Sequence, residues 1–269
     1  MPYHPTLNQT REDLEKLSPD ELRLAYASEA SINPGLSAPS IPPSIPALLQ
    51  ETEEQQGELA MMSVSKYQGM LQAFFVGLLK AKRILEIGTF TGSSAIFFAN
   101  ALKRNGVQGQ ADADGNMPMV CLEISKEYAE IAQSNFVRAG VDKYIDVHVG
   151  NARESLAKLA GQAFDIVFVD ADKESYKHYY DAVIEMGLLA RDGLIIVDNT
   201  AFDCVTPFIR VPVPITKDAQ PLDVSFRGYP GTKRYREVLH EFNEYVRNDP
   251  RTEAFMLSML TGITLVRLV

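Results

Sequence analysis

Cysteine is nearly missing from this chain of 269 residues: Cys121 and Cys204 are the only two. That scarcity argues for a reducing, intracellular compartment rather than a disulfide scaffold, and both thiols read as buried. An excess of positive charge is missing too. Lys and Arg number 26 against 35 Asp and Glu, a net charge of −9, which argues against a nucleic-acid backbone or an anionic membrane as the main partner. No apolar run approaches the roughly 20 residues that a membrane span needs. The opening Met1-Pro2-Tyr3-His4 has no basic start leading into an apolar core, so no signal peptide is expected. These absences together predict a cytoplasmic protein. The four histidines, His4, His148, His178 and His240, are scattered without metal spacing, and no internal repeat is visible.

What is present is organised around Arg83–Ser94. A short apolar run ends in Gly88 and Gly92 and passes straight into a helix-like segment. That is a buried parallel strand, a tight turn and a helix N-terminus, the opening unit of an α/β nucleotide-type fold. Before it, residues 1 to about 18 read as a loose polar arm. Ser18-Pro19-Asp20-Glu21 looks like a cap opening a helix to about Ala30. Residues 31–46, with five prolines and four serines, read as an extended connector. Helices are predicted over Ala47–Gln56 and from Ser65 to Lys80, the latter with an apolar stripe broad enough to pack on a sheet. After the turn, strands are predicted at Met119–Glu123, Tyr144–Val149, Phe164–Asp170 and Leu194–Asp198. The helices between them run from Ser125 to about Gly140 and from Glu174 to Met186. Asn105–Pro118 looks like an inserted loop, and the Pro-rich 203–230 is long enough to be a functional loop. A polar-faced helix, Lys233–Arg247, precedes two strand-like runs, Ala254–Leu260 and Ile263–Val269, read as a hairpin that adds antiparallel strands to one sheet edge.

Glu123 ends the second strand beside the Gly-rich turn, where an acid accepts hydrogen bonds from ribose hydroxyls; otherwise it is a surface acid at a strand end. The Gly-x-x-x-Gly pattern lacks a glycine of the dinucleotide fingerprint, so a nucleoside ligand without phosphates fits better. Glu86 would repel a pyrophosphate and suits a cationic or amine-bearing ligand. Asp170 and Asp198 each end an apolar strand, and parallel neighbours lie about 4.8 Å apart. With the Asn199 amide beside them they make a hard oxygen set suited to Mg²⁺, Mn²⁺ or Ca²⁺, unless these acids merely cap helices or meet solvent. Lys173, three residues after Asp170, lies near a helix N-terminus and that cation set. Its charged form is disfavoured there, as a general base requires; a lone helix lysine is more often a solvated charge. Tyr176, Tyr179 and Tyr180 recur at helical spacing and read first as core.

Glu86-Ile-Gly-Thr-Phe-Thr-Gly-Ser-Ser94, Val169-Asp-Ala-Asp-Lys173 and Val197-Asp-Asn-Thr200 together resemble the cation-dependent class I S-adenosylmethionine O-methyltransferases of caffeoyl-coenzyme A and catechol type. The likeness spans about residues 60–269, which divides the chain into an N-terminal arm with helices, 1–58, and a methyltransferase domain, 59–269. The resemblance implies a Rossmann-like α/β fold with a seven-stranded, mostly parallel sheet whose last strand is antiparallel. It implies S-adenosylmethionine and a divalent cation, Mg²⁺ first, as cofactors. Asp170, Asp198 and Asn199 would hold the cation. Glu86, Gly88, Thr89, Ser94 and Glu123 would line the donor site, with Val64, Ala152, Asp172 and Tyr179 as weaker matches. Lys173 matches the lysine that deprotonates the acceptor hydroxyl, beside Asp170. The plant enzymes grip coenzyme A with basic residues near their N-terminus, whereas this arm offers only Arg11, Lys16 and Arg23. A small catechol, phenolic acid or polyphenol is therefore the expected acceptor. The 203–230 loop, with Asp203 where the plant enzymes place a substrate-contacting asparagine, is expected to shape its pocket together with the arm. A homodimer is implied as well.

A nicotinamide oxidoreductase would need a pyrophosphate turn and a Tyr-x-x-x-Lys pair, but residue 180 is Tyr. A catalytically silent S-adenosylmethionine binder would let the acid–amide set decay, yet it is intact. A metal-independent methyltransferase stays open if the acids are structural.

Overall fold

The computed structural model describes residues 19–33, 39–201, 232–258 and 261–269. The arm, Cys204, Asp203 and the rest of the 203–230 loop lie outside the described residues. Short apolar runs bounded by turn residues become strands, and the runs buried on both faces take the interior of the sheet, as expected of parallel strands. These are β1 (Ile84–Ile87) and β2 (Met119–Glu123), buried throughout, and β4 (Phe164–Val169), nearly so. The others are β3 (Ile145–Val149), β5 (Leu189–Asp198), β6 (Thr252–Leu257) and β7 (Ile263–Leu268). Together they form one seven-stranded sheet in the order β3-β2-β1-β4-β5-β7-β6. Pairing is parallel for β1–β2, β2–β3 and β4–β5, and antiparallel where β7 meets β5 and β6. The expected mostly parallel sheet with an antiparallel last strand is what forms. Among the described residues no helix is long and apolar enough to cross a membrane.

The chain divides into two compact units, Met1–Ala152 and Arg153–Val269. In the first, α1 (Pro19–Ala30), α2 (Ile45–Gln56) and α3 (Lys66–Leu78) precede β1. Ser65 caps α3 by accepting the Gln68 N–H at 3.1 Å. α3 packs closely on a helix, α4 (Ser93–Arg104), where a Cβ on Gly69 would overlap the Phe97 ring. The helix α5 (Lys126–Ala139) opens on Ser125, whose hydroxyl accepts the Tyr128 N–H, and closes on Gly140 in the left-handed conformation.

The second unit holds α7 (Tyr176–Glu185) and α8 (Thr232–Arg247), after a short helix, α6 (Ala152–Ala157), that straddles the boundary between units. Sequence patterning did not anticipate α6, which has too few apolar positions to show a helical period. Leu239, Phe242 and Val246 form the buried stripe of α8, and the rings of Tyr176 and Tyr180 meet Phe242 edge-on at 5.6 and 6.3 Å between centroids. β5 begins at Leu189, five residues before the expected Leu194. Its first residue pairs with Phe164, and the register then shifts so that Leu194 faces Ile166. The polar Arg191-Asp192-Gly193 insert hid this start from an apolar-run reading.

Candidate active site

The first unit contributes the Gly-rich turn. Gly88, Phe90 and Gly92 all have left-handed backbones, with φ of 93°, 49° and 88°. Gly92 has a further constraint, because a Cβ there would lie 2.5 Å from the Phe136 ring. The turn is fixed mainly by carboxylates. Glu123 Oε2 accepts the N–H groups of Thr89 and Phe90 at 3.1 and 2.8 Å, and its Oε1 accepts that of Ser125 at 2.9 Å. Among the described residues Oε1 has this one donor, which leaves it an acceptor position. Glu86, fully buried, accepts from Ser94 Oγ at 2.6 Å and Thr89 Oγ1 at 3.0 Å, and from the Cys121 thiol at 3.3 Å. Burial, with Glu86 beside it, pushes that thiol well up. Sequence reasoning offered Glu86 to a cationic ligand. In the structure its oxygens serve the turn's own hydroxyls, which ties the end of β1 to the start of α4.

A second layer braces the turn from α5 and α2. Asn135 Nδ2 donates to Thr91 O at 2.8 Å, and Thr91 and Thr52 hydroxyls meet at 3.3 Å. Arg138 also donates to Asn135 and reaches across to Glu51 with two bonds of 2.9 and 2.7 Å. No sequence signal marked Asn135, since a polar residue at a helical core position shows its role only once its partner is in place. Val64 is buried immediately before the α3 cap, and Ala152 is the half-buried first residue of α6.

The second unit contributes the acids. Val169 pairs with Val197, so Asp170, just past the end of β4, and Asp198, the last residue of β5, take the next position in that register. Lys173 lies in a single 3₁₀ turn, Lys173–Ser175, just before α7 rather than within that helix. Its Nζ donates to Asp170 Oδ1 at 3.0 Å, Ala171 O at 3.2 Å and Tyr176 OH at 2.6 Å. Tyr176 in turn donates to the Asp198 carbonyl at 3.0 Å. Burial, followed by the charges of Asp170 and Asp198, raises this phenol well above its ordinary pKa, so it keeps the proton it donates. Tyr176 is core, as its spacing suggested, and it also links Lys173 to the end of β5. The Lys173-x-x-Tyr176 spacing was the available signal.

Asn199 follows at φ 56°, a conformation that Asn tolerates better than most residues. Several bonds fix this corner. Asn199 N–H donates to Asp198 Oδ1 at 2.8 Å, and Asn199 Nδ2 to Thr261 Oγ1 at 2.7 Å. Thr200 and Ala201 N–H donate to the carbonyls of Gly262 and Thr261 at 3.0 and 2.9 Å. Asn243 Nδ2 donates to Thr200 O at 2.7 Å. Asp172 and Tyr179 form a neighbouring cluster: the Tyr179 phenol donates to Asp172 Oδ1 at 2.6 Å, and Ser175 Oγ donates to Oδ2. Burial and that bond push Tyr179 up to about 12. Among the described residues no group of three or more His, Cys, Asp or Glu could hold a metal ion. The expected set is two carboxylates and an amide. Among the described residues Asp170 Oδ2 and Asn199 Oδ1 have no donor, which leaves oxygen atoms of the kind a hard cation needs.

A family model described as O-methyltransferase matches residues 37–269. Catechol O-methyltransferase of Mycobacterium tuberculosis is 38% identical over 157 residues, covering 58% of this chain and 64% of that protein, just under two thirds of its length. Caffeoyl-CoA O-methyltransferase of Petroselinum crispum is 31% identical over 85% of this chain and 86% of its own. Among solved structures, an O-methyltransferase of tomaymycin synthesis from Streptomyces achromogenes, in complex with SAM, superposes with a TM-score of 0.65 at 25% identity. That likeness covers 91% of this chain and 94% of the other. A methyltransferase from Podospora anserina, bound to SAH, shares the fold with a TM-score of 0.73 at 23% identity, over 98% and 99% of the two chains.

Proposed function

Because the chain belongs to the O-methyltransferase family, we propose that it moves a methyl group from S-adenosylmethionine to one hydroxyl of a small catechol-type phenol, with a divalent cation bound by Asp170, Asp198 and Asn199. The observation that carries this reading is the pair of strand-end acids with the Asn199 amide beside them and the Lys173 amine 3.0 Å from Asp170. Mg²⁺ suits such a set best, Mn²⁺ next. The cation would supply Lewis-acid polarisation that makes a bound hydroxyl more acidic. As the neutral amine, Lys173 gives up one of the bonds it donates to Asp170 Oδ1, Ala171 O and Tyr176 OH, so that its lone pair takes the hydroxyl proton at Nζ; as the oxygen bonds the methyl group, the sulfonium carbon–sulfur bond breaks and S-adenosylhomocysteine leaves. In the other unit, Glu123 offers its remaining Oε1 position to the donor's ribose, and the turn from Gly88 to Gly92 presents backbone to the donor. Glu86 and Ser94 keep that turn in shape, with Thr89 between them. Alignment of the methyl group with the oxygen and exclusion of water are most of what such a transfer requires. The N-terminal 1–58 segment and the 203–230 loop are assigned to the acceptor side, and the assembly to a homodimer.

The test is methyl transfer from labelled S-adenosylmethionine to a panel of catechols and caffeoyl thioesters, with Mg²⁺ and then with EDTA. Transfer to catechols that EDTA abolishes and Mg²⁺ restores is expected. A metal-independent transfer is the second reading, favoured by the Lys173–Asp170 ion pair, which gives Asp170 a partner without a cation. EDTA-resistant transfer would select it. Donor binding without transfer to any acceptor would leave a silent binder.

A further inference from the structure

Asn199 is the one proposed cation ligand with two unlike ends. Its Oδ1 can bind a cation, whereas its Nδ2 carries two protons and cannot. The amide is nearly symmetric in shape, so packing alone does not decide which end faces the carboxylates. We infer that Thr261, through its hydroxyl, is the positioning residue that holds this amide in place. Thr261 Oγ1 accepts the Nδ2–H at 2.7 Å, which holds the amide with Oδ1 on its other branch, where no donor among the described residues takes it. The inference rests on the cation reading given above.

The hydroxyl is not placed there by its own side-chain freedom. Thr261 lies two residues before the start of β7, 62 residues from Asn199. Its carbonyl accepts the Ala201 N–H, and that of Gly262 accepts the Thr200 N–H. Those two backbone bonds lock the start of β7 against the corner that follows β5. β7 itself is held in antiparallel register, with Ile263 opposite Asp198. Gly262 allows the close approach: its φ is 83°, and a Cβ there would overlap the Cβ and backbone of Ala201. A Thr200–Thr264 hydroxyl contact at 2.8 Å closes the far side. The result is a ligand amide oriented by the C-terminal strand, in the way that outer partners orient metal-bound side chains generally.

Binding of Mn²⁺ to the purified full-length chain, without donor or acceptor, can be read from the loss of the free-ion electron paramagnetic resonance signal. Thr261→Ser keeps a hydroxyl and is expected to bind within about twofold of the wild type. Thr261→Val keeps the shape and removes the acceptor; it is expected to weaken Mn²⁺ binding roughly 10- to 100-fold, the usual range for removing such a partner, with the melting temperature almost unchanged. If Thr261→Val does not fold, Thr261→Ala carries the same comparison. Wild-type binding that either hydroxyl-free variant retains within twofold would overturn the role of Thr261 and leave the cation site standing. A wild type that takes up no Mn²⁺ would overturn the cation reading itself, and this inference with it.

Discussion

Replacing Gly92 with alanine tests how tightly the Gly-rich turn is built, and two separable costs contribute. The residue sits at φ 88°, and an L side chain in the left-handed region costs roughly 1–2 kcal/mol. The added methyl would also stand 2.5 and 2.9 Å from two atoms of the Phe136 ring and 3.3 Å from Ala132 Cβ. Because the ring belongs to a fully packed face of α5, relieving that overlap costs about 1–3 kcal/mol more. The expected loss is therefore about 2–5 kcal/mol. Phe136→Leu removes the overlapping ring edge at a cost of its own, about 1–2 kcal/mol by analogy with other trimmed core side chains. The double variant should be more stable than the sum of the single losses predicts, by an amount near the overlap term, while the backbone strain persists. Urea unfolding of the four proteins measures the cycle. Additivity within about 0.5 kcal/mol would refute the steric account, and an undiminished Gly92→Ala would refute both.

Two other outcomes follow from groups away from the proposed chemistry. Gln72, 1% exposed, has no hydrogen-bond partner on either its Nε2 or its Oε1; Gln72→Leu should raise the melting temperature, since a buried unsatisfied amide costs roughly 1–3 kcal/mol, and a fall in thermal scans would show that the amide is satisfied in solution. Asp249 accepts both Nε and Nη2 of Arg251, as well as the Tyr180 phenol. Arg251 foremost draws its pKa down from 3.8 to about 2. A depressed carboxylate contributes stability that is complete above its unfolded value and lost as the pH falls through the folded one. Wild-type stability should therefore decline between about pH 4 and pH 2 more steeply than that of Asp249→Asn, and parallel acid limbs in melts from pH 5 to pH 2 would contradict the assignment.

Local chemistry was legible in the sequence wherever one residue decides the backbone. Ser125 and Gly140 bound α5 as read, β2 has the expected ends, and the closing hairpin pairs as its Thr261-Gly262 joint implied. The Asp170–Asp198 adjacency was legible because both acids end apolar runs and parallel register carries them level. What sequence could not show were roles that depend on a distant partner. The bonds that Glu86 accepts from Ser94 and Thr89 at the turn could not be read from the residue itself. Tyr176 reads as core until its hydroxyl is found between Lys173 and the Asp198 carbonyl. Asn135 carries no local signal, since its meaning lies in a carbonyl 44 residues earlier. The early start of β5 was hidden because its register shift admits polar residues within the strand.

The bracing of the Gly-rich turn by α2 also bears on how the chain is made. Thr52 must wait for Thr91, 39 residues later, and Glu51 for Arg138, 87 residues later. At translation rates of roughly 5–20 residues per second, the second wait is on the order of 4–17 seconds. During that interval Arg138 is absent, and Ile45 and Leu48, fully buried in the finished protein, have only the part of their unit made so far to pack against. The helix α2 is thus made before most of its unit, and its ion pair can form only late in that unit's synthesis. Codon usage between residues 56 and 138 would set how long that apolar face stays open to chaperones or to other nascent chains.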